Sequence, residues 1–315
     1  MSDQWGKPIL LQINGNTLFL ARALRGVGTR VRVRGFERLL RALFDPDIQR
    51  HFPFHVPFDR FVYPAYADSI VDWSVLFYGA YEPFETGLLA SMADRIAGAV
   101  FVDVGANVGH HALLMAAHAG AVHAFEPNPA MWPLIEEKLS VNAVANVVLH
   151  RCGLGLSTGS LPLYLGPAHA EASLLREANR NPSSNPVMVS VVRGDDYFPA
   201  NGIDRIDIVK MDVEGFEKYA IGGLKHELAR TRPLMMVELS ETGKAHFGAF
   251  AAFAAAFPDD YDFHFCRPAS GLLVRYRLHP ASETAYSEFV GNAFCVPAHR
   301  RGLFAELTRR DVAPW

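Results

Sequence analysis

The chain has few cysteines, little net charge and no long apolar run, and each of these absences argues against a class of protein. Its three cysteines, Cys152, Cys266 and Cys295, lie far apart in 315 residues, which predicts reduced, mostly buried thiols and no metal knuckle. A net charge of −3 argues against a general nucleic-acid-binding protein. No apolar run reaches the ~20 residues of a membrane span, and Met1 is not followed by the pattern of a signal peptide. We therefore expect a cytoplasmic protein.

A complete Gly-x-Gly-x-x-Gly motif, which is typical of dinucleotide-binding proteins, is also missing. The stretch that comes nearest begins at Gly105 and has Asn107 where the second glycine would stand. That second glycine gives the pyrophosphate its room, so the substitution argues against an NAD-binding turn. Gly105 and Gly109 still permit positive φ angles and a close approach of a ligand to the backbone.

Around this turn, the sequence predicts a nucleotide-binding βαβ unit. Val100–Val104 is almost continuously apolar and β-favouring, as in a strand that is buried on both faces of a parallel sheet. An apolar helix is predicted over residues 111–120, and a second strand over Ala121–Phe125 ends at Glu126. Strand, glycine turn, helix, strand and acidic residue follow one another in the order of a nucleotide-binding unit.

The polar residues of this unit favour S-adenosylmethionine as the ligand. Glu126 can accept hydrogen bonds from both ribose hydroxyls, and Asp103 can accept one from a ligand ammonium group or brace the loop. The helix after Gly109 offers free N–H groups to a carboxylate. S-adenosylmethionine has an amino-acid end and no phosphate, which suits this loop. An NAD(P)-dependent oxidoreductase has the same order of elements and stays an alternative.

A second informative stretch is a predicted strand over residues 206–211 that ends in charged residues. Lys210, Asp212 and Glu214 cluster at its carboxyl end, where burying charge is costly unless the groups are paired or used. We predict that Asp212 or Glu214 is catalytic, because a carboxylate there could remove a proton from a substrate hydroxyl. His110 is a further candidate base, and Glu217 is interpreted as structural.

Other candidate site residues come from their positions beside the predicted strands. Cys152 and Gly153 follow the third strand, Val147–His150, at the sheet edge where ligands bind, and we expect backbone contacts to an adenine ring there. Pro127 starts the next helix, directly after the acidic strand end. Glu82 precedes a predicted helix and lies either at the mouth of the pocket or in a capping position.

No metal site is predicted. The thirteen histidines show no ligand spacing that includes a carboxylate, and the adjacent Asp195 and Asp196 are weak evidence by themselves.

The N-terminal part is harder to interpret. Residues 10–20 look like two short strands around an Asn-Gly turn. Residues 52–81 look extended, and the segments 56–64 and 70–78 suit either a β-hairpin or an irregular cap. Seven arginines between Arg22 and Arg41 form either the solvated face of an accessory helix or a surface for an anion.

Taken together, these stretches resemble the FkbM family of S-adenosylmethionine-dependent methyltransferases. The matching pieces occur in the family's order between about residues 75 and 297. They are Gly79-Ala-Tyr-Glu-Pro, Phe101 through Gly109, Ala124-Phe-Glu-Pro-Asn-Pro, Ile208 through Glu217, Gly222-Gly-Leu, Pro233 through Glu238, and Asn292 through Pro297.

The resemblance implies an α/β class I methyltransferase (Rossmann-like) fold, with a seven-stranded, mostly parallel sheet and an antiparallel last strand. It implies that residues 76–315 form the methyltransferase domain after an N-terminal accessory region over 1–75. It also implies O-methylation of a sugar or natural product. It further implies that Asp103, Gly105, Asn107 and Gly109 hold the methionine part of the cofactor and that Glu126 holds the ribose. From their positions beside the predicted strands and helices, we add Glu82, Pro127, Cys152 and Gly153 to the expected cofactor-binding residues.

The sequence thus predicts an S-adenosylmethionine-dependent O-methyltransferase that acts on a hydroxyl of a small molecule or glycan. Besides the oxidoreductase, a non-catalytic carbohydrate-binding protein on a methyltransferase fold stays an alternative. The assembly state is open, with a homo-oligomer as one option. The prediction depends on one geometric condition, which is that Glu126 and Asp212 line the same cavity.

Overall fold

A computed structural model describes residues 15–30, 35–44, 53–66, 69–166, 172–178, 185–269, 271 and 273–309. The elements before the central sheet are α1 (Gly15–Gly28), α2 (Phe36–Leu43), β1 (Pro53–Phe58), β2 (Phe61–Tyr66) and α3 (Ile70–Tyr78).

Next come the elements of the first half of the sheet and of the insertion that follows it. They are α4 (Pro83–Asp94), β3 (Val100–Val104), α5 (His110–Met115), β4 (Ala121–Phe125), α6 (Trp132–Val141), β5 (Val147–His150), β6 (Gly153–Leu154), β7 (Gly159–Leu165), β8 (Ala172–Ser173), β9 (Val187–Val192) and α7 (Gly194–Ala200).

The remaining elements complete the sheet and its cover. They are β10 (Ile208–Met211), α8 (Glu217–Gly222), α9 (Lys225–Thr231), β11 (Leu234–Leu239), α10 (Glu241–Phe247), α11 (Phe250–Ala254), β12 (Tyr261–Pro268), β13 (Tyr276–Pro280), α12 (Glu283–Glu288), β14 (Gly291–Pro297) and α13 (Arg301–Arg309).

The central sheet has the topology of a class I methyltransferase. Within the described ranges it has eight strands in the order β13-β12-β14-β11-β10-β3-β4-β5. Strands β11, β10, β3, β4 and β5 are mutually parallel, and the last strand, β14, runs antiparallel to both β11 and β12. The predicted α/β fold with an antiparallel last strand is confirmed. Strand β13 adds an eighth strand at the edge, because the chain after β12 turns back and pairs with it.

The core lies on both faces of this sheet. Phe101 belongs to one buried cluster and its neighbour Val102 to the other, and the same alternation holds for Ile208 and Val209. Successive side chains of a strand point to opposite faces, so strands with apolar residues at both parities are covered on both sides. This is the reason for the continuous apolar runs in the sequence.

Two expectations for the N-terminal part are wrong. Residues 15–20 belong to helix α1 and not to a strand, because they continue into a run of good helix formers at 20–24; residues 10–14 lie outside the described part. Residues 70–78 form helix α3 and not a strand. Ser69 caps this helix, since its hydroxyl accepts a hydrogen bond from the backbone N–H of Asp72 at 3.0 Å.

Since residues 70–78 are helical, they cannot be the second strand of the predicted hairpin, and the hairpin of this region instead pairs β1 with β2 in antiparallel register. A third buried cluster joins this region to the rest of the molecule, since it contains Trp73 and Phe77 together with Leu113 and Leu114 of α5. Arg25 donates hydrogen bonds to carbonyls near the end of α3, so this arginine is structural. The domain boundary near residue 75 stays a prediction. None of the helices in the described part of the chain combines the length and apolar character that a bilayer crossing requires.

Candidate active site

The glycine turn after β3 is held against the end of β4. The backbone N–H groups of Gly105 and Ala106 both donate to the carbonyl of Phe125 at 3.0 Å. Gly105 has a φ of 79°, and a Cβ at this position would lie 1.9 Å from the carbonyl oxygen of Asp212. Because neither the angle nor the contact tolerates a side chain, glycine is required where the ends of β3 and β10 meet.

Asn107 and Glu126 form the next layer of the turn. Asn107 is in the left-handed region with a φ of 51°, which asparagine tolerates better than most residues. Its backbone N–H donates to Oε2 of Glu126 at 2.7 Å, and the N–H of Asn128 donates to Oε1 at 2.7 Å. Burial raises the pKa of Glu126 to about 7, although these two N–H groups oppose the rise.

Lys210 is a buried ammonium group between the two strand ends. It is the register partner of Asp103 across the β10–β3 pair, so both side chains lie on one face of the sheet. Its Nζ donates to the carbonyl of Gly105 at 2.7 Å and lies 3.5 Å from an oxygen of Asp103 and 3.5 Å from one of Asp212. Burial alone would lower the pKa of Lys210, but the carboxylates of Asp212 and Asp103 raise it, so this residue stays charged.

Three carboxylates crowd together at the carboxyl ends of β10 and β11. One oxygen each of Asp212, Glu214 and Glu238 lie within 4.8 Å of one another. The negative charge of Asp212, together with burial, raises the pKa of Glu238 well above its ordinary value. Such a group either retains a proton or takes up a positive charge from a ligand.

Glu217 fixes the loop that carries Asp212 and Glu214 through hydrogen bonds to the loop's backbone. This residue is fully buried, and its Oε1 accepts hydrogen bonds from the N–H groups of Val213 at 3.1 Å and Gly215 at 3.2 Å. From the other side, the hydroxyl of Ser173 donates to the carbonyl of Glu214 at 2.8 Å. The interpretation of Glu217 as structural therefore agrees with its contacts, but those contacts place it directly under the acidic loop.

A cavity of about 660 Å³, including its part open to solvent, lies at this edge of the sheet. It is lined by Val104, Gly105, Asn107, Glu126, Pro127, Asn128, Met131, Gly153, Leu154, Leu163, Ala172, Leu174, Asp212, Val213, Glu214 and Phe216. Glu126 and Asp212 thus line one cavity, as the geometric condition of the sequence analysis requires.

Seven of the predicted site residues line this cavity, and four do not. Those lining it are Gly105, Asn107, Glu126, Pro127, Gly153, Asp212 and Glu214. Asp103 forms an ion pair with Lys210, and Gly109 packs against Ile135 of α6. Cys152 is buried beside Gly153. The remaining residue, Glu82, is close enough to Asp212 and Lys210 for their charges to act on its pKa.

Glu82 belongs to a buried polar group near the start of α4. Its Oε1 accepts a hydrogen bond from Nδ2 of Asn292 at 2.7 Å, and burial raises its pKa to about 8. It occupies the position before α4 with a φ of 46°, and its side chain makes no capping hydrogen bond, so the capping alternative is wrong. The negative charge of Glu82 and burial both raise the pKa of the adjacent Tyr81.

His110 is not placed to act as a base. Its ring is 2% exposed and packs against Phe58 and Tyr63. Its Nε2 accepts a hydrogen bond from the backbone N–H of Tyr81 at 3.2 Å, and burial lowers its pKa to about 3. The lone pair that a base would use is therefore already engaged.

Metal binding has one candidate group among the residues that the structure describes. It is the set of Asp212, Glu214 and Glu238, whose oxygen ligands suit a hard divalent cation. The sequence analysis did not predict this set, because Glu238 comes 24 residues after Glu214 and no ligand spacing marks it. Asp195 instead accepts backbone N–H bonds from His226 and Glu227 at the start of α9.

Some of the lining residues were missed by the sequence analysis. Leu163, Ala172 and Leu174 come from the insertion between β6 and β9, which carries no motif. Val213 and Phe216 belong to the second informative stretch. They could have been predicted as lining residues because they are close in sequence to Asp212 and Glu214. Asn128 and Met131 follow Pro127 and were interpreted only as part of the next helix.

Comparison with known proteins gives sequence relatives of one kind. A 129-residue segment is 30% identical to the hexuronic acid methyltransferase AglP of Haloferax volcanii, covering 41% of this chain and 51% of the relative. A 160-residue segment is 28% identical to Methyltransferase 1 of Beauveria bassiana, covering 45% of this chain and 64% of the relative. The chain thus spans between about half and two thirds of the length of these curated relatives.

Solved structures resemble the chain more weakly. The methyltransferase FkbM of Methylobacillus flagellatus matches with a TM-score of 0.42 and 15% identity, over 63% of this chain and 43% of that one. The O-methyltransferase TomG of Streptomyces achromogenes, in complex with SAM, matches with a TM-score of 0.40 and 13% identity, over 69% and 80%. The family assignment comes instead from the sequence profile of the methyltransferase FkbM domain, which matches residues 103–265. Since this is more than half of the chain, the protein belongs to the FkbM methyltransferase family.

Proposed function

We propose that this protein is an S-adenosylmethionine-dependent O-methyltransferase that acts on a hydroxyl group of a small molecule or glycan. The observation that carries the proposal is that Glu126 and Asp212, at the ends of two strands, line the same cavity on either side of the glycine turn. We call the part of the cavity around Glu126 and Gly153 the nucleoside end. We call the part around Asp212 and Glu214 the transfer end.

The residues at the nucleoside end fit the proposed cofactor. Gly105 lines the cavity and has no side chain, so it presents its backbone to a ligand there. Gly153, Pro127 and Leu174 line the cavity side by side, since a Cβ on Gly153 would be in ordinary van der Waals contact with both neighbours. The carboxylate of Glu126 is held by two N–H groups and retains lone pairs that can accept the two ribose hydroxyls.

At the transfer end, the chain supplies alignment and a proton acceptor. The bound cofactor would supply a methyl group that is already electrophilic, so orientation and removal of one proton are what the protein must add. Asp212 is the proposed base. Lys210 fixes its side chain at 3.5 Å, and its carboxylate is partly exposed to the cavity. Glu214 lies beside it. Ser173 donates to the backbone carbonyl of Glu214, and Glu217 accepts from the N–H groups of the flanking Val213 and Gly215.

Binding is the first test of this function. We expect isothermal titration calorimetry to show binding of S-adenosylhomocysteine and none of NADH. Tight binding of NADH with no uptake of S-adenosylhomocysteine would contradict the proposal and favour the oxidoreductase.

Transfer is the second test. Small molecules and glycans that copurify with the protein are incubated with methyl-labelled S-adenosylmethionine, and the label is followed by mass spectrometry. We expect wild type to label a hydroxyl of one of them, and Asp212→Asn to bind S-adenosylhomocysteine without transferring label. Normal turnover in Asp212→Asn would remove the assignment of the base. Cofactor binding without transfer to any acceptor would favour a non-catalytic binding protein.

A further inference from the structure

The edge strand β13 presents a stripe of basic side chains to solvent. Arg275, Arg277 and His279 are exposed and come two residues apart in the sequence. The pairing of β12 with β13 extends to Ala269, whose N–H donates to the carbonyl of Arg275 at 2.7 Å. Since alternate residues of a paired strand point the same way, the three side chains lie on one face of the sheet. We call them the basic stripe.

Strand register places the basic stripe at the same edge of the sheet as the transfer end. One line of register partners crosses five strands and consists of Met211, Val237, Ala293, Phe265 and His279. Strand β13 runs in the opposite direction to β10. Arg277 and Arg275 therefore follow His279 in the direction in which Asp212 follows Met211, toward the edge where the cavity opens.

The distance between the two places is large compared with the range of exposed charges. Four strand spacings separate β13 from β10, which puts the basic stripe roughly 19 Å from the transfer end. Exposed charges are largely screened beyond ~8 Å at physiological ionic strength. The acids of the transfer end therefore neither neutralise the stripe nor repel an anion bound to it. A ligand that reaches both places must be extended.

The charge of the basic stripe is not balanced within the described part of the chain. Its three residues form no ion pair and no side-chain hydrogen bond there. Arg267 faces Arg277 directly across the strand pair, and like charges in opposing positions destabilise a sheet. The guanidinium of Arg267 donates to the carbonyl of Ala285 at 2.8 Å and lies over the ring of Phe289, so it adds a positive charge without a counter-ion. A bound anion would relieve this repulsion.

The residue types indicate what kind of anion fits. Lysine is the residue that most often keeps edge strands from pairing with other chains, whereas two members of the basic stripe are arginines. Arginine donates in a planar fork that matches the oxygens of carboxylate and phosphate groups. The stripe is only about 14 Å long, and the chain has a net charge of −3. Nucleic-acid binding usually depends on a larger basic surface, so a short acidic ligand is favoured.

We infer that the basic stripe binds the negatively charged part of an extended acceptor, and that this acceptor is an acidic oligosaccharide. The reacting hydroxyl then lies at the transfer end, and the charged groups lie roughly 19 Å away along the same edge of the sheet. This inference rests on the proposed function and names a substrate class for it. Arg277, in the middle of the stripe, and Arg275, nearest to the cavity edge, determine the specificity for charge.

The experiment uses isothermal titration calorimetry on protein saturated with S-adenosylhomocysteine, at low ionic strength. The probes are tetragalacturonic acid, the uncharged maltotetraose and a uridine RNA tetramer. We expect tetragalacturonic acid to bind at least about tenfold more tightly than either of the others, because its carboxylates accept charge-assisted hydrogen bonds from the arginines.

Variants locate the source of this preference. In Arg275→Gln and Arg277→Gln, we expect the affinity for tetragalacturonic acid to fall by about fivefold or more. The affinity for S-adenosylhomocysteine should stay within about twofold of wild type, because the stripe lies far from the nucleoside end, and this second affinity also reports correct folding. Arg309→Gln, at an exposed position at the end of α13, is the matched control and should retain both affinities.

The transfer assay gives a second readout. The acceptor that receives label should carry a carboxylate, sulfate or phosphate group on a sugar other than the one that reacts. In a variant with both Arg275→Gln and Arg277→Gln, we expect KM for this acceptor to rise by about tenfold or more while kcat stays within about twofold, since the stripe contributes to binding and not to the reacting atoms.

The outcomes separate this inference from the proposed function. If S-adenosylhomocysteine binds but maltotetraose binds as tightly as tetragalacturonic acid, or if both arginine variants keep the wild-type affinity, the acidic acceptor is wrong and the proposed function stands. A labelled acceptor without negative charge would lead to the same conclusion. Tighter binding of the uridine tetramer, lost in the same variants, would assign the stripe to a nucleic acid instead. If S-adenosylhomocysteine does not bind, the proposed function itself fails.

Discussion

At the nucleoside end of the cavity one carboxylate, Glu126, accepts two backbone N–H bonds, whereas at the transfer end three carboxylates lie within 4.8 Å of one another beside one ammonium group. The same chemical group therefore meets two environments in one cavity. At the first end the fold supplies fixed donors, so the carboxylate organises a loop. At the second end Lys210 is buried between Asp103 and Asp212, and the negative charge of Asp212 together with burial raises the pKa of Glu238. The carboxyl groups at the two ends therefore differ because of their surroundings and not because of their residue type.

The largest expected effect comes from removing the buried ammonium group at the transfer end. Replacing Lys210 by methionine leaves Asp103 and Asp212 without their buried cation, and removing one partner of a buried ion pair costs about 3–5 kcal/mol. We expect a loss of that size in the free energy of unfolding, measured by urea denaturation. Lys225→Met, at an exposed position of α9, is the control. A loss below about 1 kcal/mol in Lys210→Met would show that the strand ends do not depend on this charge.

The next largest effect is expected from removing the carboxylate at the nucleoside end. Glu126→Ala removes the acceptor of the Asn107 and Asn128 N–H groups as well as the proposed ribose ligand, and each hydrogen bond to a charged group contributes about 1.5–3 kcal/mol. We expect the affinity for S-adenosylhomocysteine to fall by about 100-fold in calorimetry. Glu136→Ala, on the exposed face of α6, should bind as wild type does. Unchanged affinity in Glu126→Ala would refute the ribose assignment.

A smaller effect is expected from pH, which changes the charge of the carboxyl group at the nucleoside end. Burial raises the pKa of Glu126 to about 7, and hydroxyl donors bind the ionised form. Binding therefore releases a proton below this pKa, so the affinity for S-adenosylhomocysteine should rise by up to tenfold per pH unit between about pH 5.5 and 7 and level off above it. Glu126→Gln should remove this dependence while other groups still titrate. The same slope in Glu126→Gln would assign the pH effect to another residue.

The smallest effect concerns the support of the acidic loop. Glu217→Ala leaves the N–H groups of Val213 and Gly215 without their acceptor, and the cavity wall formed by Val213 and Phe216 loses its anchor. We expect an affinity for S-adenosylhomocysteine about tenfold lower, whereas Glu217→Gln retains an accepting oxygen and stays within about threefold of wild type. Equal losses in both variants would show that the charge of Glu217, and not its acceptor oxygen, holds the loop.

Much of the sheet could be predicted from the sequence because its strands carry strong local signals. The bounds predicted for β4 and β5 are those of the structure, since each is a short apolar or β-branched run between clear breaks. The meeting of Glu126 and Asp212 was also predictable, because the carboxyl ends of parallel strands lie at one edge of the sheet. Here order along the chain determines proximity in space.

The rest depends on contacts that no local pattern encodes. Seven of the nine residues of α3 are apolar or aromatic and suit a strand or a helix equally, and the cap from Ser69 favours the helix. Helix formation over 217–231 is interrupted between α8 and α9 where Gly223 packs on the Gly155 carbonyl. Glu238 joins Asp212 and Glu214 through sheet register, and the insertion residues that line the cavity carry no motif.

The contact between Gly105 and the Asp212 carbonyl has a consequence for how this cavity can change. Because the two strand ends touch backbone to backbone, we expect a substitution that shifts the glycine turn to shift the acid-bearing loop as well. Leu163, Ala172 and Leu174 reach the cavity from an insertion outside the central sheet. Substitutions meant to change acceptor specificity would therefore begin with these three residues, because they leave the contact between Gly105 and the Asp212 carbonyl unchanged.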